Sequence, residues 1–277
     1  MDLQFRYAIT EVNKHIDYPR NIRFRTMHSH STFQLVYCTD GIVKIAMLAG
    51  EHEIKAGEAI FLNSNVVHQD IVSTGGAYYS FNFSKELVSF GKNLPTEVLL
   101  NEFAENPGCP CYIFDEKYPW MRKILSDCEK LIELEKDKAD TYYYEVLHLL
   151  TGIMLQMLKN LPIPQNMVRN HDEERMQKVL TFIEEYYSEN ITLARMALAA
   201  NISKSELLRL FHRTLECTPY QYLMAFRLRK ASELLQKTAL SIGEISSEVG
   251  ITNQSQFGSH FKKLTGYTPS EYRKRFK

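Results

Sequence analysis

The chain has 277 residues, of which 44% are hydrophobic and 24% charged, and its formal net charge at pH 7 is zero. This composition excludes a disordered protein, and the length fits about two domains of roughly 100–200 residues each. No run of about 18 apolar residues occurs, which excludes a membrane-spanning helix. The first residues do not resemble a secretory signal, and the five scattered cysteines favour free thiols in a reducing compartment. We therefore expect a cytoplasmic protein.

The charged residues are unevenly distributed along the chain. Residues 203–277 contain 13 basic and 6 acidic side chains, whereas the remainder contains 20 basic and 27 acidic ones. Local net charges of +7 and −7 therefore cancel in the total. A basic end on an otherwise acidic chain is typical of a protein that binds nucleic acid with that end, although basic surfaces also serve solubility.

The N-terminal part is predicted to consist of short β-strands. Residues 21–84 contain apolar runs rich in β-branched and aromatic residues, separated by turns that contain glycine. The clearest runs are 33–38, 42–47, 59–62 and 77–83. Many short strands with regular turn signals favour an antiparallel barrel or sandwich.

A pair of amphipathic helices is predicted after the strands. Apolar residues at three-to-four spacing place these helices at Trp120–Lys136 and Tyr142–Lys159. The pair has two possible uses, as a cover for one face of the barrel or as a dimer seam formed by Leu147, Leu150, Met154 and Met157. Pro162 and Pro164 then interrupt the helical pattern, so we place an interdomain linker at about 160–172.

The region beyond the linker is predicted to be helical and contains an internal repeat. Predicted helices span 173–187, 193–200, 204–215, 220–236, 242–249, 254–264 and 270–276. A Leu-x-x-Met-Ala pattern that begins at Leu193 returns as Ile-x-x-Ile-Ser at Ile242, and a Thr-Pro pair follows each copy. Asn201 and Gly250 end the first helix of each copy, and both residue types accept the left-handed conformation of a tight turn. Each copy therefore predicts a helix-turn-helix.

Capping residues begin the second helix of each copy. Ser203 and Glu206 have the spacing of a capping box, and Asn253 is a suitable cap for the other copy. A single helix-turn-helix occurs by chance in many helical domains, but two matched copies on the basic end predict DNA binding. The helix between them, Tyr220–Gln236, would be about 25 Å long, close to the roughly 34 Å between successive major-groove faces. One chain could therefore read two adjacent groove segments.

Three motifs resemble the AraC family of transcription regulators. Residues 173–277 resemble its double helix-turn-helix domain, and the second copy, GITNQSQFGSHFKKLTGYTPSEYR at 250–273, is similar to the family signature. The linking helix carries the similar motif Arg227-Leu-x-x-Ala-x-x-Leu-Leu. The stretch GEAIFLNSNVVH at 57–68, preceded by His28 and His30, resembles the cupin-like effector domain of such regulators.

The resemblance implies an α+β multidomain protein. Residues 1–165 would form a cupin-like β-barrel with the helical pair, for effector binding and dimerisation, and residues 172–277 an all-α DNA-binding domain with two helix-turn-helix units. The implied function is a non-enzymatic, sequence-specific transcription regulator, by family default an activator. Its implied partners are promoter DNA, a small-molecule effector such as a sugar, RNA polymerase, and a second copy contacted through residues 120–159. A regulator of virulence or stress genes with a non-sugar effector resembles the family equally well.

The candidate DNA-contacting residues lie on the predicted exposed faces of the two recognition helices. They are Lys204, Ser205, Leu208, Arg209, His212, Gln254, Ser255, Ser259, Lys262 and Lys263. The resemblance places Ser205, Leu208 and Arg209 at base edges, with Arg209 first because a guanidinium can bond bidentately to guanine. The second recognition helix has fewer charged side chains that could contact base edges. We therefore expect it to position the protein on the DNA backbone rather than to determine sequence specificity.

The basic side chains suggest phosphate contacts, and the resemblance to the family suggests one strained turn. Lys262, Lys263, Arg273, Lys274 and Arg275 are phosphate candidates, with solvated surface charge as the alternative. Cys217 stands where the family commonly has glycine, so we expect mild strain there.

A small-ligand pocket in the barrel is the third prediction. Its candidate lining is His28, His30, Gln34, Tyr37 and His68, with an N-terminal arm between Arg6 and Arg25 closing over it. Two other interpretations stay open, namely packing histidines and a metal site of a cupin enzyme. Gln34 stands where metal-binding cupins usually have glutamate, and a neutral amide is a weak ligand for divalent cations. We therefore predict no metal and no cofactor.

Overall fold

A computed structural model describes residues 7–12, 27–48, 50–72, 76–106, 108–161 and 171–276. Contacts divide the chain into two compact units, the first made of Met1–Ile16 and Ser29–Arg169, the second of Asp17–His28 and Asn170–Lys277. Most of the predicted linker and of the predicted arm lies outside the described residues. Within the described part, no helix is long and apolar enough to cross a membrane. All five cysteines are described, and none forms a disulfide.

The first unit contains two antiparallel sheets. The strands are β1 Tyr7–Val12, β2 Phe33–Asp40, β3 Ile42–Met47, β4 Gly50–Lys55, β5 Ala59–Leu62, β6 His68–Val72, β7 Ala77–Phe83 and β8 Cys111–Phe114. One sheet has the order β1-β7-β2-β5-β8 and the other β4-β3-β6. The sheet-rich N-terminal region predicted from the sequence is confirmed.

Strand β2 lies at the centre of the larger sheet and is buried on both faces. Phe33 and Leu35 belong to a core shared with the helices, whereas Val36 and Cys38 pack against residues of β3 and β4. The helices are α1 Lys85–Val88, α2 Pro95–Glu105, α3 Pro119–Lys136 and α4 Tyr142–Asn160. They cover one face of the larger sheet, which leaves the opposite face to enclose a second core between the sheets.

The helical pair α3 and α4 has the predicted bounds to within one residue. Three of the four residues predicted as a dimer seam, Leu150, Met154 and Met157, are instead buried in the core of this chain, and Leu147 is half-buried. The predicted seam is therefore wrong for those three, because their stripe faces the sheet. The other predicted use of the pair, as a cover for the sheet, agrees with this burial.

The second unit is helical, as predicted. Its helices are α5 His171–Tyr186, α6 Leu193–Ala199, α7 Lys204–Leu215, α8 Pro219–Lys237, α9 Ile242–Glu248, α10 Gln254–Thr265 and α11 Pro269–Phe276. Asn201 has φ 54° and Gly250 has φ 75°, so the turns of both helix-turn-helix copies are left-handed. The repeat therefore has the local geometry that its sequence predicts.

The capping residues differ in one respect from their prediction. The Ser203 side chain accepts a hydrogen bond from the Glu206 amide, but the Glu206 carboxylate binds Arg209 rather than the cap backbone. Reciprocal capping boxes form elsewhere, at Thr218 with Gln221 at the start of α8 and at the start of α9.

The predicted strain at Cys217 lies one residue earlier. Glu216 ends α7 with φ 51° and ψ 27°, in the left-handed region. The matching residue of the second copy is Gly266, with φ 80°. The prediction was wrong by one position, because the turn geometry and not the buried thiol of Cys217 requires the glycine-like backbone.

Candidate nucleic-acid interface and effector site

The first recognition helix, α7, separates its buried and exposed residues cleanly. Leu207, Leu210 and Phe211 are buried. All five predicted contact residues on this helix are exposed: Lys204, Ser205, Leu208, Arg209 and His212. The Arg209 side chain is 71% exposed. The face that could meet a groove therefore carries both charged and apolar groups.

Arg209 belongs to an ion-pair network that the sequence analysis missed. Its guanidinium lies 2.5 Å from the Glu206 carboxylate, and the same carboxylate lies 3.8 Å from Arg213. Arg213 in turn pairs with Asp172 of α5 at 2.6 Å. The spacing of three residues between Glu206 and Arg209 was the available signal. Glu206 therefore holds the guanidinium beside the exposed face, and a bound base would have to compete with it.

The second recognition helix, α10, presents mostly neutral groups. Phe257 and Phe261 are buried, and the predicted contact residues are exposed: Gln254, Ser255, Ser259, Lys262 and Lys263. A Cβ at Gly258 would meet nothing within 4 Å, so this position of the helix surface is open. Gln254 lies against Gly243 of α9 so closely that a Cβ there would clash with its amide.

Two of the predicted phosphate candidates have structural contacts of their own. The half-buried Arg273 donates a hydrogen bond to the carbonyl oxygen of Leu240, 2.5 Å away. The Arg275 guanidinium lies over the Tyr267 ring, 5.0 Å from its centroid. Their charges therefore also stabilise the fold, while Lys274 is exposed.

Polar side chains are buried between the two sheets of the first unit. Gln34 is 4% exposed and donates from Nε2 to the Ser80 hydroxyl at 2.8 Å. Asn82 donates to the same hydroxyl at 3.0 Å. His30 Nε2 lies 3.3 Å from Gln34 Oε1, and Thr32 Oγ1 lies 2.8 Å from His30 Nδ1. His30 Nδ1 also lies 2.9 Å from the Thr32 carbonyl oxygen, so Thr32 and Gln34 contact the ring at its two nitrogens.

His68 joins this cluster and is almost completely buried. Its exposed fraction is 1%, and its ring lies edge-on to His30 with 5.1 Å between centroids. Nδ1 lies 2.9 Å from the carbonyl oxygen of Val66, so Nδ1 carries the proton in this contact. Three of the predicted pocket residues, His30, Gln34 and His68, are therefore brought together. Ser80 and Asn82 were missed, although both alternate with Phe81 and Phe83 in β7 and so face away from the helices.

Tyr37 does not belong to this cluster. Positions 34 and 37 are three residues apart on β2, so their side chains lie on opposite faces of the sheet. Tyr37 packs in the core beneath the helices and donates to the Glu129 carboxylate of α3 at 2.8 Å. Burial and then this hydrogen bond raise the pKa of the Tyr37 phenol. Its prediction as a pocket residue is wrong.

His28 departs from its prediction in its secondary structure but not in its neighbours, since ring nitrogens of His28, His30 and His68 lie within 4.8 Å of one another. It was expected on one strand with His30, but it forms only an isolated bridge, and His30 lies outside the strands. His28 is half-buried and belongs by its contacts to the second unit, whereas His30 belongs to the first.

Both parts of the chain match models of one regulator family. A model described as an AraC-like ligand binding domain matches residues 14–90, and one described as a helix-turn-helix domain matches residues 196–275. The chain belongs to the AraC family. It is therefore a transcription regulator with a ligand-binding domain and a DNA-binding domain, as its sequence motifs predicted.

Relatives named in the comparisons are regulators too. An uncharacterised HTH-type transcriptional regulator, YdeC of Bacillus subtilis, is 29% identical over 254 residues, which cover 90% of this chain and 86% of that protein. The lactose operon transcription activator of Staphylococcus xylosus is 37% identical over 103 residues, 37% of each chain. These matches agree with a non-enzymatic protein.

A solved structure has the same overall fold as this chain. The crystal structure of apo ToxT K231A from Vibrio cholerae matches with a TM-score of 0.58 and covers 98% of both chains. The two sequences are only 12% identical, so this likeness concerns the fold alone. It confirms the predicted fold class, a sheet-rich N-terminal region followed by a helical C-terminal region.

Proposed function

We propose that the second unit reads two adjacent major-groove segments, with α7 choosing the sequence and α10 fixing the register. The observation that carries this proposal is the repeated helix-turn-helix on the basic end of the chain, with each recognition helix exposed along one face. The connecting helix α8 has 19 residues. It would span about 28 Å, close to the roughly 34 Å between successive groove faces.

The contacts follow from the chemistry of the exposed residues. Arg209 would bond to guanine, Leu208 would touch a thymine methyl, and Ser205 could serve either kind of base. Lys204 and His212 would flank them. On α10, Gln254, Ser255 and Ser259 would approach the groove while Lys262 and Lys263 neutralise phosphates.

A comparison of two variants tests this division of roles. A preferred sequence is first selected from random duplexes with the full chain, and affinities are measured by gel shift across salt. Arg209→Ala should reduce discrimination against point-mutated sites by about 5- to 150-fold, since a bidentate contact contributes about 1–3 kcal/mol. Lys262→Ala should weaken all sequences alike and lower the salt slope by about one.

The control is Lys44→Ala, which removes a partly exposed charge from the first unit and should leave both site preference and salt slope unchanged. Equal losses on every sequence from Arg209→Ala and Lys262→Ala would contradict the assigned roles. Failure of the wild-type chain to select any sequence would contradict the proposed readout itself.

We propose that the polar cluster between the sheets binds a small neutral effector, with a sugar as the first candidate. Gln34, Ser80 and Asn82 offer amides and a hydroxyl, and His30 and His68 add imidazoles. Such groups can both donate hydrogen bonds to sugar hydroxyls and accept hydrogen bonds from them. One relative is named for the lactose operon, which supports the choice, whereas a ToxT structure is described as bound to an unsaturated fatty acid.

A thermal-shift screen of the full chain separates the two effector classes. A ligand at a hundred times its Kd stabilises the native state by about 2.7 kcal/mol. We expect a sugar to raise the melting temperature and Gln34→Leu to abolish that shift, with Gln156→Leu on α4, outside the polar cluster, as control. A shift with fatty acids only, in both variants, would identify the non-sugar alternative.

We propose further that the regulator is a homodimeric activator. The second copy would contact residues 120–159 through the side chains that α4 leaves outside the core, Tyr144 at 81% and Leu155 at 49% exposure. As an activator it would contact RNA polymerase at the promoter. It would therefore act in the cytoplasm. Sedimentation tests the dimer: Tyr144→Asp should yield monomers, and Val98→Asp on α2, which is 56% exposed and lies outside this segment, should not.

A further inference from the structure

The loop between α5 and α6 contacts both halves of the DNA-binding unit. Its first part, Tyr187–Glu189, contacts the first helix-turn-helix through Glu189, which pairs with Arg195 of α6 at 3.0 Å. The Tyr187 side chain nevertheless packs against the core of the second copy, and its ring lies 5.3 Å from Phe226 of α8. The loop is therefore placed where it can couple the two copies.

Arg227 of α8 holds this loop by its backbone. Its Nε donates to the carbonyl oxygen of Tyr187 at 2.7 Å, and its Nη2 donates to that of Glu189 at 2.6 Å. Hydrogen bonds from a charged donor are stronger than neutral ones, and the planar guanidinium fixes their geometry. The side chain is half-buried, and burial lowers the pKa of its guanidinium, which stays protonated at physiological pH.

The turn of the second copy rests on the same loop. Gly250 ends α9 with φ 75°, and a Cβ there would clash with the Ser188 carbonyl group and lie 3.0 Å from Arg227 Nη2. The left-handed backbone alone does not require glycine at this position, because Asn201 occupies the matching position of the first copy with φ 54°. The close approach to Ser188 supplies the additional reason.

The entry to the first copy, the linking helix and the turn of the second copy thus meet at one point. The recognition helices α7 and α10 each follow shortly after one of these segments. We propose that Arg227 is a positioning residue that sets the distance and angle between α7 and α10, and so the operator spacing that one chain accepts. The inference rests on the proposed readout of two groove segments, since Arg227 itself touches no base in this scheme.

Arg227→Lys tests the two hydrogen bonds from Arg227 to the loop without a change of charge. Lysine keeps the attraction to phosphates but lacks the fork that reaches two carbonyl groups. Arg229→Lys is the matched control, since that guanidinium lies on the same helix over the Phe226 ring at 4.9 Å. Gly250→Ala perturbs the junction from its opposite side and provides a second variant.

The first readout measures geometry and needs no DNA. Spin labels are introduced at the exposed positions 212 and 260 by genetically encoded amino acids, and their distance distribution is recorded in the full chain. Arg227→Lys and Gly250→Ala should broaden the distribution, and Arg229→Lys should leave it as narrow as in the wild type. Unchanged distributions in both junction variants overturn the proposal. Loss of helical content in both also overturns it, because a residue that only sets geometry must be dispensable for folding.

The second readout uses the selected operator with one base pair inserted between its two groove segments. The wild type should lose about tenfold in affinity, comparable to one mismatched pair. The junction variants should lose about threefold or less, while their binding to unrelated duplexes stays unchanged. An equal penalty in the wild type and both variants overturns the spacing role. If the chain selects no operator but the junction variants broaden the distance distribution, the proposed DNA readout is rejected. The positioning role of Arg227 is then still supported.

Discussion

Glu216 provides the most direct test of how the repeat is built. It ends α7 in the left-handed region, and the second copy has Gly266 at the same position. A side chain in this conformation costs about 1–2 kcal/mol, whereas glycine costs about 0.5–1 kcal/mol in chain entropy on folding. Glu216→Gly should therefore raise the free energy of unfolding by about 0.5–1 kcal/mol. The mirror change Gly266→Ala should lower it by a similar amount.

Glu216→Gln is the control that separates backbone strain from charge. A carboxylate at a helix C-terminus is unfavourable because of the helix dipole, so part of the gain could come from removing the charge. Unfolding is followed by far-ultraviolet circular dichroism, while fluorescence of the single tryptophan, Trp120, reports the first unit. If Glu216→Gln stabilises the helical transition as much as Glu216→Gly, the strain argument is refuted.

Three further changes test other parts of the chain. Gly258→Ala should stabilise the second unit by about 0.8–1 kcal/mol in denaturant titrations, because alanine favours a helix and a Cβ at this position meets no other atom. The same change should weaken operator binding. Tighter binding would refute a close approach of α10 to DNA. Asn63→Ala should cost roughly 3 kcal/mol, since its buried amide donates to the carbonyls of Phe103 and Cys109; a loss below 1 kcal/mol would contradict this. The raised pKa of Tyr37 favours the neutral phenol in the folded state, so the free energy of unfolding should fall as pH rises above about 10. Tyr37→Phe should reduce this pH dependence when unfolding is followed by Trp120 fluorescence. An unchanged pH dependence would contradict the burial of a neutral Tyr37 phenol.

The helical unit was predictable from the sequence, and parts of the sheet unit were not. Caps, periodicity and the internal repeat are local signals, so no end of α6 to α10 differs from its prediction by more than one residue. The short elements α1 and β8 have four residues each, too few for a period to show. Helix α2 was not predicted, although Pro95 at its first position is a helix-start signal.

The candidate site shows the same contrast at the level of single residues. The exposed face of α7 followed from its period, but the Glu206–Arg209 pair was overlooked because Glu206 had been interpreted only as a cap. The prediction for Tyr37 was wrong because side chains three residues apart on a strand lie on opposite faces of the sheet. The contact between Gly250 and Ser188 joins residues distant in sequence, and no local pattern could have indicated it.

Differences between the two copies point to a division of labour on the DNA. At matching positions, α7 carries Leu208 and Arg209 where α10 carries Gly258 and Ser259. The first pair projects apolar and charged groups, whereas the second pair leaves a low surface that would let the helix backbone approach phosphates closely. If the copies read DNA alike, exchanging these pairs should leave the selected sequence unchanged. We expect the exchange instead to move the strongest base preference from the segment under α7 to the segment under α10.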